Sequence, residues 1–85
     1  MEELLEKLRK EKFEIYGKIR NLEKFRMTKE WNELSLNHKE LLDIQLKIMQ
    51  SYWEVLNARC LDLQQKIMKD EKEQNNKQII EIEII

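Results

Sequence analysis

Three polar residues in the second half of the chain stand where a helix would be expected to carry apolar side chains. Gln45, Tyr52 and Arg59 are spaced by seven, so on a helix they share one side, two turns apart. On a helical wheel they fall in the middle of a wide apolar arc, where a polar group is costly unless it is satisfied. Two interpretations stay open. One is a polar layer that sets the register between helices. The other is a pocket in which these side chains converge on a ligand.

The first half of the chain carries a stripe in which basic and aromatic side chains alternate. Its members are Arg9, Phe13, Tyr16, Arg20 and Lys24. An arginine guanidinium pairs bidentately with phosphate, and an aromatic ring stacks on a base. Nine Lys or Arg and only three Glu lie between residues 7 and 29. This stripe is either a solvated face with ion pairs or part of a site for a small anionic ligand. Because the whole chain has a net charge of −1, we do not expect it to bind long nucleic acid.

The residue types that catalysis or metal binding requires are scarce. The chain has one His and one Cys, which cannot build a zinc site. His38 lies near a predicted helix N-terminus and is expected to face solvent in the capping turn. Cys60 lies within the apolar arc and is expected to act as a small hydrophobic residue. No phosphate loop or HExxH motif is present. We therefore expect no enzymatic activity, no metal and no cofactor.

The elements that position these residues follow from composition and periodicity. The 85 residues include no Pro and one Gly, and 39% are charged, which favours long helices. The pattern predicts an all-α helical hairpin with helices at about 2–25 and 36–69. The first helix would present one apolar wedge, formed by Leu4, Leu8, Ile15, Ile19 and Leu22. Gly17 lies inside it and is either a tolerated surface residue or a point of close approach. The break at 26–37 would hold a short helical turn with Trp31. Thr28, Ser35 and Asn37 are N-cap candidates there, and Asn37 with Glu40 has capping-box spacing.

The apolar arc of the second helix is unusually wide, about 200° against the roughly 100° that packing on one neighbour needs. The first helix supplies one neighbour only, so the arc predicts a homo-oligomer. The arc is formed by Leu41, Leu42, Ile44, Leu46, Ile48, Met49, Trp53, Val55, Leu56, Cys60, Leu63 and Ile67.

The C-terminal segment differs from the rest of the chain. We expect one helical-hairpin domain at 1–69, followed at 70–85 by a polar segment and a strand. Residues 70–78 contain no apolar side chain, and the helix is expected to continue into them until the Asn-Asn pair. Isoleucine and glutamate alternate at 79–85, which is typical of a half-buried β-strand. This strand would pair within the oligomer, with disorder or pairing to a partner protein as the alternatives.

The spacing of several residues in the two helices resembles that of a known family. These residues are Leu41, Leu42, Gln45, Leu46, Met49, Tyr52, Leu56 and Arg59, with Leu22, Phe25, Trp31 and Leu34 upstream. The pattern covers about residues 15–59 and resembles a family of small uncharacterised phage proteins that is named after a protein of a crAss-like phage. The resemblance implies a phage origin and a helical hairpin, and it leaves the activity open.

By analogy with other small helical phage oligomers, we expect a counter-defence protein that sequesters a cyclic nucleotide at subunit interfaces. Its ligand-binding residues would be Tyr16, Arg20, Lys24, Gln45, Tyr52 and Arg59, with the arginines and Lys24 on phosphates. The alternative is a structural or adaptor oligomer that binds a host or phage protein. No run of 18 apolar residues and no secretory signal is visible, so we expect a cytoplasmic protein without a membrane partner.

Overall fold

Two long antiparallel helices and a short connecting helix form the hairpin. The computed structural model describes residues 1–75, with side chains described for residues 1–69. Helix α1 spans Glu2–Phe25, α2 spans Lys29–Glu33 and α3 spans Leu36–Asn75. The all-helical prediction is confirmed for this part of the chain, and α3 extends beyond residue 69 to the Asn-Asn pair. The predicted strand at 79–85 lies outside the described residues.

The core is a single seam between α1 and α3. Its members on α3 alternate three and four residues apart, the spacing of a coiled-coil contact line. One cluster joins Leu5 and Leu8 to Leu56, Cys60 and Leu63. A second joins Ile19 to Leu46 and Met49, and the half-buried Ile15 packs against both clusters. As predicted, Cys60 is buried.

The apolar wedge predicted for α1 is confirmed at four of its five residues, Leu8, Ile15, Ile19 and Leu22. Leu5 is buried, whereas Leu4, which was assigned to the wedge, is 41% exposed. The seam follows Leu5, Leu8, Ile15 and Ile19, and the only polar position in it is Lys12. The Lys12 ammonium donates a hydrogen bond of 3.1 Å to Asn57 Oδ1, which gives this position a partner across the seam.

The connection between the long helices is ordered by its aromatic and charged side chains. Phe25 and Trp31 meet edge to face with ring centroids 6.2 Å apart. The Arg26 guanidinium lies 5.6 Å from the centroid of Trp31 and pairs with Asp43 Oδ1 at 3.2 Å. The helical turn predicted around Trp31 is therefore confirmed, and its contacts fix how α3 returns along α1.

The start of α3 is capped two positions before the predicted capping box, by another of the predicted N-cap candidates. Ser35 Oγ accepts a hydrogen bond of 3.1 Å from the backbone N–H of His38, so Ser35 is the N-cap and Asn37 lies inside the helix. His38 is exposed in this first turn, as expected. A methyl group added at Gly17 would meet no atom within 4 Å, which supports the surface interpretation of this glycine. In the described part of the chain, no helix combines the length and apolar composition that crossing a bilayer requires.

Candidate ligand-binding site

The wide apolar arc of α3 is divided into two parallel contact lines, and only one of them is covered. The line that faces α1 holds the buried core described above. The second line, called here the open seam, consists of Leu41, Ile44, Ile48 and Val55, which are 54%, 53%, 63% and 53% exposed. The arc is therefore as wide as the sequence indicates, and α1 covers only part of it.

The polar residues spaced by seven form a column between these two lines. Gln45, Tyr52 and Arg59 are exposed, and Lys66 continues the same spacing one step further. The column follows the border between the surface of α3 that α1 covers and the open seam. In a helical bundle this border is a junction between three helices, so the polar side chains have access to α1 and to any chain that covers the open seam. Lys66 was missed from the sequence, although its spacing from Arg59 was the signal that could have found it.

Tyr52 is held by α1 across this border. Its hydroxyl donates a hydrogen bond of 2.5 Å to Glu11 Oε2. Because the carboxylate accepts from the neutral hydroxyl, this bond is the main cause that raises the pKa of Tyr52 above 10.0; desolvation and the charge of Glu11 add to it, and Arg59 opposes it. Arg59 is thus close enough to Tyr52 to act on its charge.

Among the side chains of residues 1–69, no carboxylate forms an ion pair with either cation of the column. Among the described side chains, the ion pairs within 4.0 Å join Arg20 to Glu23 and Arg26 to Asp43, and neither involves Arg59 or Lys66. Asp62 lies between these two along the helix but forms no such pair with either. Of these two cations, Arg59 is exposed and can meet an anion from solvent, whereas Lys66 is buried.

Tyr16 and Arg20, two of the predicted site residues, lie on the opposite side of the hairpin. They line a groove of about 400 Å³ with Ile19, Glu23, Gln50, Trp53 and Glu54. At 100° per residue, Tyr16 points about 140° away from Glu11, the residue that meets Tyr52. Core residues of α1 and α3 separate the groove from the polar column.

The groove differs from the column in its charge. The Arg20 guanidinium is 3.8 Å from Glu23 Oε1, and Glu54 adds a second carboxylate to the lining. With one cation against two carboxylates, this groove is poorly suited to phosphate, whereas the half-buried Trp53 and exposed Tyr16 offer aromatic faces. Lys24 is exposed in the last turn of α1 and does not line the groove. One chain alone therefore does not bring the six predicted residues into one site.

The bond between Tyr52 and Glu11 gives a pH prediction. In Tyr16→Phe the remaining tyrosine should ionise with a midpoint above 10.0, followed by the ultraviolet absorbance of tyrosinate. Adding Glu11→Gln should lower that midpoint. The neutral hydroxyl is favoured in the folded state, so the bond stabilises the fold fully below pH 10 and this contribution is lost as the pH rises through the raised pKa. A midpoint that Glu11→Gln leaves unchanged would contradict the bond.

Comparison with known proteins identifies one family. The family model named Sequestin matches residues 2–63, which includes α1, α2, most of the core and three of the four residues of the polar column. No curated protein and no solved structure matches the chain. The name of the family denotes sequestration. Since the match spans well over half of the 85 residues, the chain belongs to the Sequestin family.

Proposed function

We propose that this chain is a phage counter-defence protein that binds a small anionic signalling nucleotide and keeps it from its effector. The observation that carries the proposal is the polar column, in which cations without carboxylate partners stand beside a tyrosine between two apolar contact lines. The family name supports sequestration as the activity. Sequestration needs no bond to be made or broken, so a site that encloses phosphates and bases is sufficient.

The open seam supports an assembly in which the site lies between copies of the chain. Four large apolar side chains that are each more than half exposed form a strip that water does not favour. A second copy of this helix offers the same apolar strip, and most soluble homo-oligomers pair identical surfaces in this way. In such an assembly the polar column is enclosed, and the interface contains two copies of each donor, one from each chain.

Within this site the residues have distinct roles. Arg59 would pair with a phosphate, since its guanidinium matches phosphate oxygens bidentately. Tyr52 and Gln45 would contact the ribose or the base, and Glu11 orients the hydroxyl of Tyr52. The groove with Tyr16, Arg20 and Trp53 would accept a base of a ligand bound against a neighbouring copy.

The decisive experiment is a thermal shift of the purified protein with cyclic di- and trinucleotides and cyclic ADP-ribose isomers. A ligand present at 100 times its dissociation constant should stabilise the fold by about 2.7 kcal/mol. Arg59→Leu should keep the oligomer and lose this shift, because a charge-assisted hydrogen bond contributes about 1.5–3 kcal/mol. Arg59→Lys should restore it only in part, since lysine cannot pair bidentately.

The matched control is Lys69→Leu, which removes an exposed cation from the same helix without touching the column, and it should bind like the wild type. If no nucleotide shifts the melting temperature, the proposal is contradicted. An Arg59→Leu variant that binds as tightly as the wild type would also contradict it. The second candidate, an adaptor oligomer for a host or phage protein, is favoured by the open seam and would then take precedence.

A further inference from the structure

Lys66 is the most unusual polar residue of the described chain. It is 8% exposed, the one polar or charged residue among the buried ones. Its Nζ atom is buried and has no hydrogen-bond partner among the side chains that the structure describes, residues 1–69. It lies three residues beyond the segment that the family model covers, so the family match does not account for it.

A buried ammonium without a partner is energetically unfavourable. Removing such an ion from water costs several kcal/mol, and attraction to a counter-charge is what offsets this cost. The three donors of the ammonium also lose their hydrogen bonds to water. An ammonium in this position therefore calls for an anion that the described side chains do not supply.

The second cation of the column is placed to share that anion. Arg59 and Lys66 lie on the same side of α3, two turns or about 10.5 Å apart along the helix axis. Both side chains are long enough to converge over the turn that separates them. Two cations in this arrangement suit a group that carries at least two negative charges and several oxygen acceptors, such as a phosphate or diphosphate, better than a single carboxylate.

We propose that Arg59 and Lys66 form a phosphate-binding site, with Lys66 as the buried donor. The inference rests on the proposed function in one respect: the phosphate is taken to belong to the sequestered nucleotide. It places the phosphate contacts at the polar column and toward the C-terminal half of α3, away from Arg20 and Lys24.

The test uses inorganic pyrophosphate as the probe, at an ionic strength balanced with sodium chloride. The melting temperature of the wild type should be higher in pyrophosphate than in chloride. Lys66→Met, which keeps most of the length of the side chain and removes its charge, should bind pyrophosphate about tenfold more weakly or worse. In chloride it should be at least as stable as the wild type, because an unpaired buried charge is removed. Lys69→Met, the exposed control, should respond like the wild type.

A wild type whose melting temperature does not depend on pyrophosphate overturns the inference, and so does a Lys66→Met variant that responds fully. These results are separable from the proposed function. If nucleotides still shift the melting temperature of Lys66→Met as they shift the wild type, the proposed function stands and the Lys66 site fails. If pyrophosphate binding depends on Lys66 while every nucleotide is inactive, the phosphate site stands and the proposed function fails.

Discussion

Ile48→Glu combined with Val55→Glu is expected to convert the proposed oligomer into a monomer of 10.5 kDa. Both residues lie on the open seam and are 63% and 53% exposed, so within one chain the exchange touches none of the core. Between two copies it would bury four carboxylates without partners, each costing several kcal/mol. Light scattering at micromolar concentration should show the wild type as an oligomer and the double variant at monomer mass.

The control exchanges two apolar side chains of the same helix that face elsewhere. Leu61 and Met68 are 51% and 67% exposed and lie on the other side of α3 from the open seam. Leu61→Glu with Met68→Glu carries the same added charge and should retain the mass of the wild type. A wild type that is itself monomeric, or a seam variant that keeps the full mass, would contradict the proposed assembly. Loss of oligomer in both variants would show that added charge, not the seam, is responsible.

The number, order and bounds of the helices could be predicted from the sequence. Periodicity and the absence of Pro fix two long helices, and Trp31 in a segment without breakers indicates the short one. The width of the arc on α3 could also be predicted, because a helical wheel measures how far apolar residues extend around a helix. These features depend on local spacing, which the sequence contains in full.

The division of that arc could not be predicted in the same way. A wheel does not tell which half of a 200° arc meets α1, since this depends on how the connection directs α3. In the structure that direction is set by Arg26 with Asp43 and by Phe25 with Trp31, contacts between residues that share no periodicity. The same reason explains why Tyr16 and Arg20 were grouped with Tyr52 and Arg59: the sequence shows two polar stripes, and only the packing shows that the core separates them.

The burial of Lys66 was beyond sequence reasoning for a different reason. A lysine near the end of a highly charged helix is normally exposed, and the residues around Lys66 in the sequence do not indicate otherwise. The spacing of seven from Arg59 is visible in the sequence, but spacing alone does not show that the side chain is buried. Burial depends on side chains that are distant in sequence, so it required the structure.

The largest effect on folding is expected from Leu56→Ala. Leu56 has no exposed surface, the most complete burial among the core residues, and it joins Leu5 and Leu8 of α1 to α3. Truncating a buried leucine costs about 2–5 kcal/mol, because the free energy gained by removing its side chain from water is lost and the cavity left behind closes only in part. A core of this size supplies about 3–5 kcal/mol in total, so the variant should lose most of its stability.

Urea unfolding followed by circular dichroism would measure this loss as a lower midpoint with a similar slope. Leu61→Ala makes the same truncation at a residue that is 51% exposed and should stay within about 0.5 kcal/mol of the wild type. A Leu56→Ala variant with an unchanged midpoint would mean that contacts between chains, not the seam between α1 and α3, hold the hairpin together. Combining Leu56→Ala with the double exchange at Ile48 and Val55 distinguishes the two cases: if the seam within the chain carries the fold, the core truncation lowers the midpoint of the monomer by the same amount as in the oligomer.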